Sequence, residues 1–197
     1  MSYLGHVISK EGVKVDPKKI KSITEWTNPT NISKLRGFLR LMGYFRRFIR
    51  NYAHRTAPLS NLLKKNASHW NEEVEKCFEA LKVIMSSTLV LATPNFSKLF
   101  VIECDTPGYG LGAVLMQDEH PIAFESGKLN KQEQLKSTYD KEMLAIMQAL
   151  VKWRQYLLGR NFMIRTDHNS LQYLLQQKTL STEQQKWIEK TLLSTWK

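Results

Sequence analysis

Near residue 99 the spacing of apolar side chains changes from a helical period of 3.6 to a strand period of 2, and this switch limits the folds open to the chain. Leu99 to Asp105 reads as a strand with both faces largely apolar, which suits a central position in a sheet. Gly108-Tyr109-Gly110 permits a tight turn into a second strand, GLGAVLMQ, and Asp118-Glu119-His120 turns the chain into a third, PIAFES. Connections this short make the three strands antiparallel neighbours. A long helix follows, capped near Ser137 or Thr138 and stopped by Gly159, and then a fourth strand, NFMIRTD. A strand, a crossover helix and a strand in one sheet require a right-handed, parallel placement, so the fourth strand is expected beside the first. A short helix over 170–177 and a last helical segment over 182–193 complete this half.

The first half is helical in pattern. Tyr3 to Ser9 reads as a strand and Glu11-Gly12 as a turn, and VDPKKIKSITEW forms a short helix with Pro17 near its first position. Asn28-Pro29-Thr30 interrupts it, and Thr30, Asn31 or Ser33 can cap the next helix. That helix is expected from Ile32 to about Asn51, with Ile32, Leu35, Leu39, Met42, Phe45 and Ile49 on one face. A short helix follows Ala57-Pro58-Leu59 and ends near Lys65, another spans about 71–86, and STLVLATPNFSK connects to the strands. Four segments result: 1–12, 13–68, 69–98 and 99–197.

Charge separates the same parts. The net charge is +11, yet residues 1–68 hold 14 basic and 3 acidic side chains while residues 69–197 balance. A concentrated basic segment attracts polyanions, because each phosphate it neutralises releases condensed counterions; a solvated basic face kept for solubility is the plainer reading. On a helical wheel with Arg36 at 0°, the apolar face spans roughly 180–320°. Arg36, Arg47, Arg40, Asn51, Tyr44 and Gly37 follow one another on the opposite side. Glycine inside a helix costs about 1 kcal/mol relative to alanine, so Gly37 implies a close approach, either by nucleic acid or by a neighbouring helix. No apolar run reaches the ~18 residues of a membrane span. Two cysteines, Cys77 and Cys104, form neither a disulfide framework nor a metal-ligand spacing, and read as reduced core residues of an intracellular protein.

If the first and fourth strands are parallel neighbours, Asp105 and Asp167 end side by side, at the strand termini where open α/β sheets bind ligands. Glu142 borders the sheet-facing side of the crossover helix. Three converging carboxylates repel one another unless a cation lies between them, and hard divalent ions take such oxygen ligands. Two ions about 3.5–4 Å apart can clamp the attacking water and the leaving oxygen of a phosphodiester. Each residue also has a plain structural role: a turn aspartate at Asp105, a charge matched to the helix dipole at Glu142, and a helix cap at Asp167.

The strings CDTPGYGLGAVLMQDEHPIAFESGKL, STYDKEMLAIMQALVKWRQYLLG and FMIRTDHNSLQYLL resemble the ribonuclease H domain of gypsy-type long-terminal-repeat retrotransposon Pol proteins. LGHVIS and KLRGFLRLMGYFRRFIRNYA are similar to the last strand of the reverse-transcriptase palm and to its thumb. The resemblance implies a ribonuclease H-like α/β fold with a mixed sheet, preceded by a small helical thumb. It further implies cleavage of the RNA strand of RNA–DNA hybrids with Mg²⁺ or Mn²⁺, two ions in the complete family domain. The family's catalytic carboxylates fall on Asp105, which would bridge both metals, and on Glu142 and Asp167, which would each bind one. Its thumb helix rides on duplex, which corresponds to Arg36, Gly37, Arg40, Tyr44 and Arg47. Expected partners are hybrid or duplex nucleic acid and the rest of a Pol polyprotein, with no membrane. Two departures stand out. The family's fourth carboxylate lies on a final helix after a fifth strand, elements that this chain is expected to lack, and Thr106-Pro107 replaces the usual Ala-Ser. The polymerase's Y-x-D-D loop is also missing, so polymerisation is not expected of this chain. A binding remnant without catalysis is the alternative.

Overall fold

The computed structural model describes residues 1–64, 69–87, 90–106, 110–160 and 162–166. It opens with a three-stranded antiparallel sheet, β1 (Ser2–Tyr3), β2 (His6–Ser9) and β3 (Gly12–Val15). The single strand expected over 3–9 is therefore a hairpin, turned at Leu4 and Gly5, which both take positive φ. Leu91 of the connector pairs with Val13, and Ala92 N–H donates to the Pro121 carbonyl, so the connector ties this sheet to the large one.

Asp16 caps α1 (Pro17–Thr24), and Asn31 caps α2 (Ile32–Tyr44) by accepting from the Lys34 N–H. The helix expected to reach Asn51 ends at Tyr44. A 3-10 turn, Arg46–Phe48, follows, and Asn51 reverses the chain with φ 55° and ψ 37°. Continued helix would hold Phe48 roughly 60° outside the apolar face; the unwound turn buries it together with Phe45 and Ile49. Short helices α3 (Tyr52–Arg55) and α4 (Ala57–Asn61) lead to α5 (Glu72–Ser86), capped by Asn71.

The large sheet has the order β6-β5-β4-β7, with β4 (Phe100–Asp105), β5 (Gly110–Gln117), β6 (His120–Lys128) and β7 (Phe162–Thr166). The first three are antiparallel, and β7 lies parallel to β4, as the crossover rule requires. Between β6 and β7 run α6 (Lys131–Gln134), α7 (Thr138–Lys152, capped by Ser137) and α8 (Arg154–Leu157). The crossover helix breaks at Trp153, and Gly159, with φ 69°, ends it.

Both faces of the sheet are covered. On one, Phe100, Ile102, Cys104 and Leu115 pack with Ile146, Ala149 and Trp153. On the other, Val114, Met116 and Phe124 join Phe38, Met42, Phe45 and Phe78 of the helical half. The two halves thus share a core. Cys77 is half-buried rather than central, its Sγ donating to the Arg55 carbonyl at 2.9 Å. No helix among the described residues is long and apolar enough to cross a membrane.

Candidate nucleic-acid interface and carboxylate site

On α2 the buried side chains are Leu35, Phe38 and Met42, while Arg36 and Arg40, one turn apart, are exposed. Neither arginine takes part in a salt bridge among the described residues, so both guanidinium groups face solvent without an internal counter-charge. Gly37 stands between them, half-buried. A methyl group there would lie 3.6 Å from Trp26 Cζ2, an ordinary contact, so helix packing does not require the glycine.

Tyr44 closes the helix. Its ring stacks on His6, and its hydroxyl donates to the Leu4 carbonyl at 2.7 Å, while about half of its surface stays open. Arg47 departs from the expected stripe. With the helix ended at Tyr44 it sits in the 3-10 turn, where Nη2 donates to the Ile122 carbonyl of β6 at 3.3 Å and the guanidinium covers the Phe48 ring. Arg47 thereby braces the helical half against the sheet. Burial, and then the charge of Arg47, hold the His6 imidazole below its ordinary pKa.

Asp105 ends β4, at the end of the large sheet where the parallel strand β7 also ends. The β4–β7 register runs from Phe100↔Phe162 to Cys104↔Thr166, and Asp105 and Asp167 are the next residues along each chain. Asp167 itself lies outside the described residues. Glu142, in the first half of α7, is buried at 4% exposure, which agrees with its expected sheet-facing position. It acts on Cys104: burial first, then the Glu142 and Glu103 charges, push that thiol up to about 12.

Successive strand residues face opposite sides of a sheet. Cys104 belongs to the core beneath α7, and Asp105 meets the helical half instead. Its Oδ2 accepts from Asn51 Nδ2 at 3.4 Å. Asp105 pairs with Gly112 of β5, where any Cβ would overlap Asn51 Oδ1. The Asn51 amide is therefore wedged over the strand pair that ends in Asp105. The helical wheel placed Asn51 on the basic face; its real signal was local, since asparagine is among the few residues that enter left-handed conformation at a helix end.

The sequence profile of the RNase H-like domain found in reverse transcriptase matches residues 95–193. The chain belongs to this reverse-transcriptase family. It is 39% identical over 188 residues to the retrovirus-related Pol polyprotein from transposon 297 of Drosophila melanogaster, covering 94% of this chain and 18% of that protein. The corresponding polyprotein from transposon gypsy is 35% identical over 201 residues, covering 95% and 19%. The transposon Tf2-3 polyprotein of Schizosaccharomyces pombe is 35% identical over 179 residues, covering 87% and 13%. The chain thus spans less than a fifth of the length of these three relatives. Among solved structures, the foamy viral protease-reverse transcriptase dRH in complex with double-stranded DNA superposes with TM-score 0.84 at 20% identity, covering 97% of this chain and 36% of that one. The same viral enzyme in complex with an RNA/DNA hybrid gives TM-score 0.80 at 20% identity, covering 97% and 27%. These likenesses establish a shared fold.

Proposed function

We propose that this chain grips duplex nucleic acid, an RNA–DNA hybrid within a Pol polyprotein, and cleaves the RNA strand by metal-dependent hydrolysis at the rim of the large sheet. Arg36 and Arg40 would hold backbone phosphates, with Gly37 allowing the duplex to approach α2. Asp105, Glu142 and Asp167 would hold Mg²⁺ or Mn²⁺. The observation that carries the reading is the parallel β4–β7 register, which ends one residue short of Asp105 and Asp167. The solved relatives bound to double-stranded DNA and to hybrid add to it.

The donor chemistry suits a hard divalent cation, which prefers carboxylate oxygens. When bound, such an ion supplies an activated water and neutralises charge on the phosphodiester. The protein's own contribution is to hold the acids and the strand. Glu142 is fixed by burial and Asp105 by the strand end, and two exposed arginines orient the backbone.

A second reading, nucleic-acid binding without catalysis, is favoured by one observation. The Asp105 carboxylate faces Asn51 of the helical half, on the side of the sheet opposite Cys104. Cleavage of a labelled RNA–DNA hybrid in Mg²⁺ or Mn²⁺ separates the two. Activity lost in Asp105→Asn supports the nuclease. Equal residual cleavage in both proteins rules out metal-centred catalysis, and salt-sensitive duplex binding without any cleavage leaves the binding reading in place.

A further inference from the structure

We infer that Asn51, a residue of the helical half, is a positioning residue for the Asp105 carboxylate, so that docking of the thumb-like helices on the sheet sets the orientation of that acid. The inference rests on the nuclease reading for its catalytic meaning, while the contact itself stands on geometry. Three features converge. The backbone of Asn51 is left-handed, which aims its short side chain at the sheet rather than along a helix. Its Nδ2 donates to Asp105 Oδ2, leaving Oδ1 of that carboxylate unengaged by this bond. Its own Oδ1 fills the space over Gly112 that any other residue's Cβ would occupy.

Neighbouring contacts hold this wedge in place. The Ala53 N–H donates to Ser126 Oγ at 2.9 Å, and Arg47 donates to the Ile122 carbonyl. Both anchor the segment around Asn51 to β6, so the amide is carried by a docked surface and not by a free loop. A metal-binding carboxylate whose second oxygen is fixed by an amide donor is the usual support for a first ligand, and removing such support weakens metal binding or activity by about 10–100-fold. Asn51 supplies that support from 54 residues upstream.

The test uses the full 197-residue chain and Asn51→Gly, because glycine adopts the same left-handed backbone without strain and deletes only the amide. The side-chain carboxyl ¹³C resonance of Asp105 is assigned by its loss in Asp105→Asn and then followed in Asn51→Gly, together with Mn²⁺ titration and thermal melting. The expected result is a displaced Asp105 resonance and Mn²⁺ binding weakened about 10–100-fold, with duplex affinity in the absence of metal unchanged. An Asp105 resonance at its original position in folded Asn51→Gly overturns the inference. If that resonance moves while Asp105→Asn leaves the Mn²⁺ titration unaltered, the metal reading fails and the hold of Asn51 on Asp105 stands. Should Asn51→Gly not fold, the Asn51 side-chain amide signal reports the same bond from its other end. It shifts in Asp105→Asn if the bond exists, and stays in place if it does not.

Discussion

Gly37→Ala separates a glycine kept for internal packing from one kept for an external partner. Gly37 is the sixth residue of the 13-residue α2, and its backbone is right-handed, so alanine meets no conformational penalty. The new methyl would lie 3.6 Å from Trp26 Cζ2 and 3.9 Å from Cη2, contacts of ordinary van der Waals length. The helix gains the alanine–glycine propensity difference, about 1 kcal/mol. For a chain of this size that corresponds to a rise in Tm of about 2–4 °C. If the duplex backbone lies against this face, the same methyl holds it away from Arg36 and Arg40. Loss of one charge-assisted hydrogen bond costs about 1.5 kcal/mol, or roughly tenfold in Kd. Differential scanning calorimetry and fluorescence anisotropy with a labelled hybrid read the two effects on one sample. Stabilisation with weaker hybrid binding supports the reasoning. Stabilisation with unchanged binding removes nucleic acid as the reason for the glycine, and a fall in Tm contradicts the packing geometry around Trp26.

Arg36→Ala combined with Arg40→Ala should weaken duplex binding while leaving Tm within about 2–4 °C, because both side chains are exposed. The slope of log K against log salt should fall by about 2, near 0.9 for each lost phosphate contact; an unchanged slope would place the phosphates elsewhere. Phe38→Ala should destabilise by about 3–5 kcal/mol, measured by urea unfolding, since Phe38 is fully buried with its ring 4.6 Å from that of Phe78. His6 gives a pH effect. Its folded pKa lies below the unfolded value, so the unfolded chain binds the proton first and stability falls as pH drops through about 6.5. His6→Phe, which keeps an aromatic ring against Tyr44 and Phe48, should flatten Tm between pH 7 and 5. A slope equal to that of the unaltered chain would assign the effect to other groups.

The large sheet was legible because its signals are local. β4 and β5 follow from short turns and apolar blocks, β6 runs beyond the expected PIAFES to span His120–Lys128, and the crossover rule together with the two apolar faces of β4 brings β7 beside it. The caps at Asn31 and Ser137 and the stop at Gly159 are equally local, and the structure adds a cap at Asn71 and the Asn130–Glu133 capping box of α6. What escaped depends on distant parts of the chain. Leucine has no intrinsic preference for the positive φ at Leu4, which the pairing of Ser2 with Val7 and Tyr3 with His6 imposes on that turn. The end of α2 at Tyr44 is set by the need to bury Phe48 in a core shared with β5 and β6.

The carboxylates divide in the same way. Glu142 could be oriented from its angle on α7, because one face of that helix is apolar and packs on the sheet. Period-two alternation assigns Asp105 to the face opposite Cys104, yet it says nothing of what covers that face. The covering group is an asparagine 54 residues upstream, admitted by a glycine on the adjacent strand. A fragment beginning near Leu99 would therefore keep the acids and lose the amide that orients one of them. On the proposed reading, physical continuity between the thumb-like helices and the sheet sets the orientation of the Asp105 carboxylate at this rim.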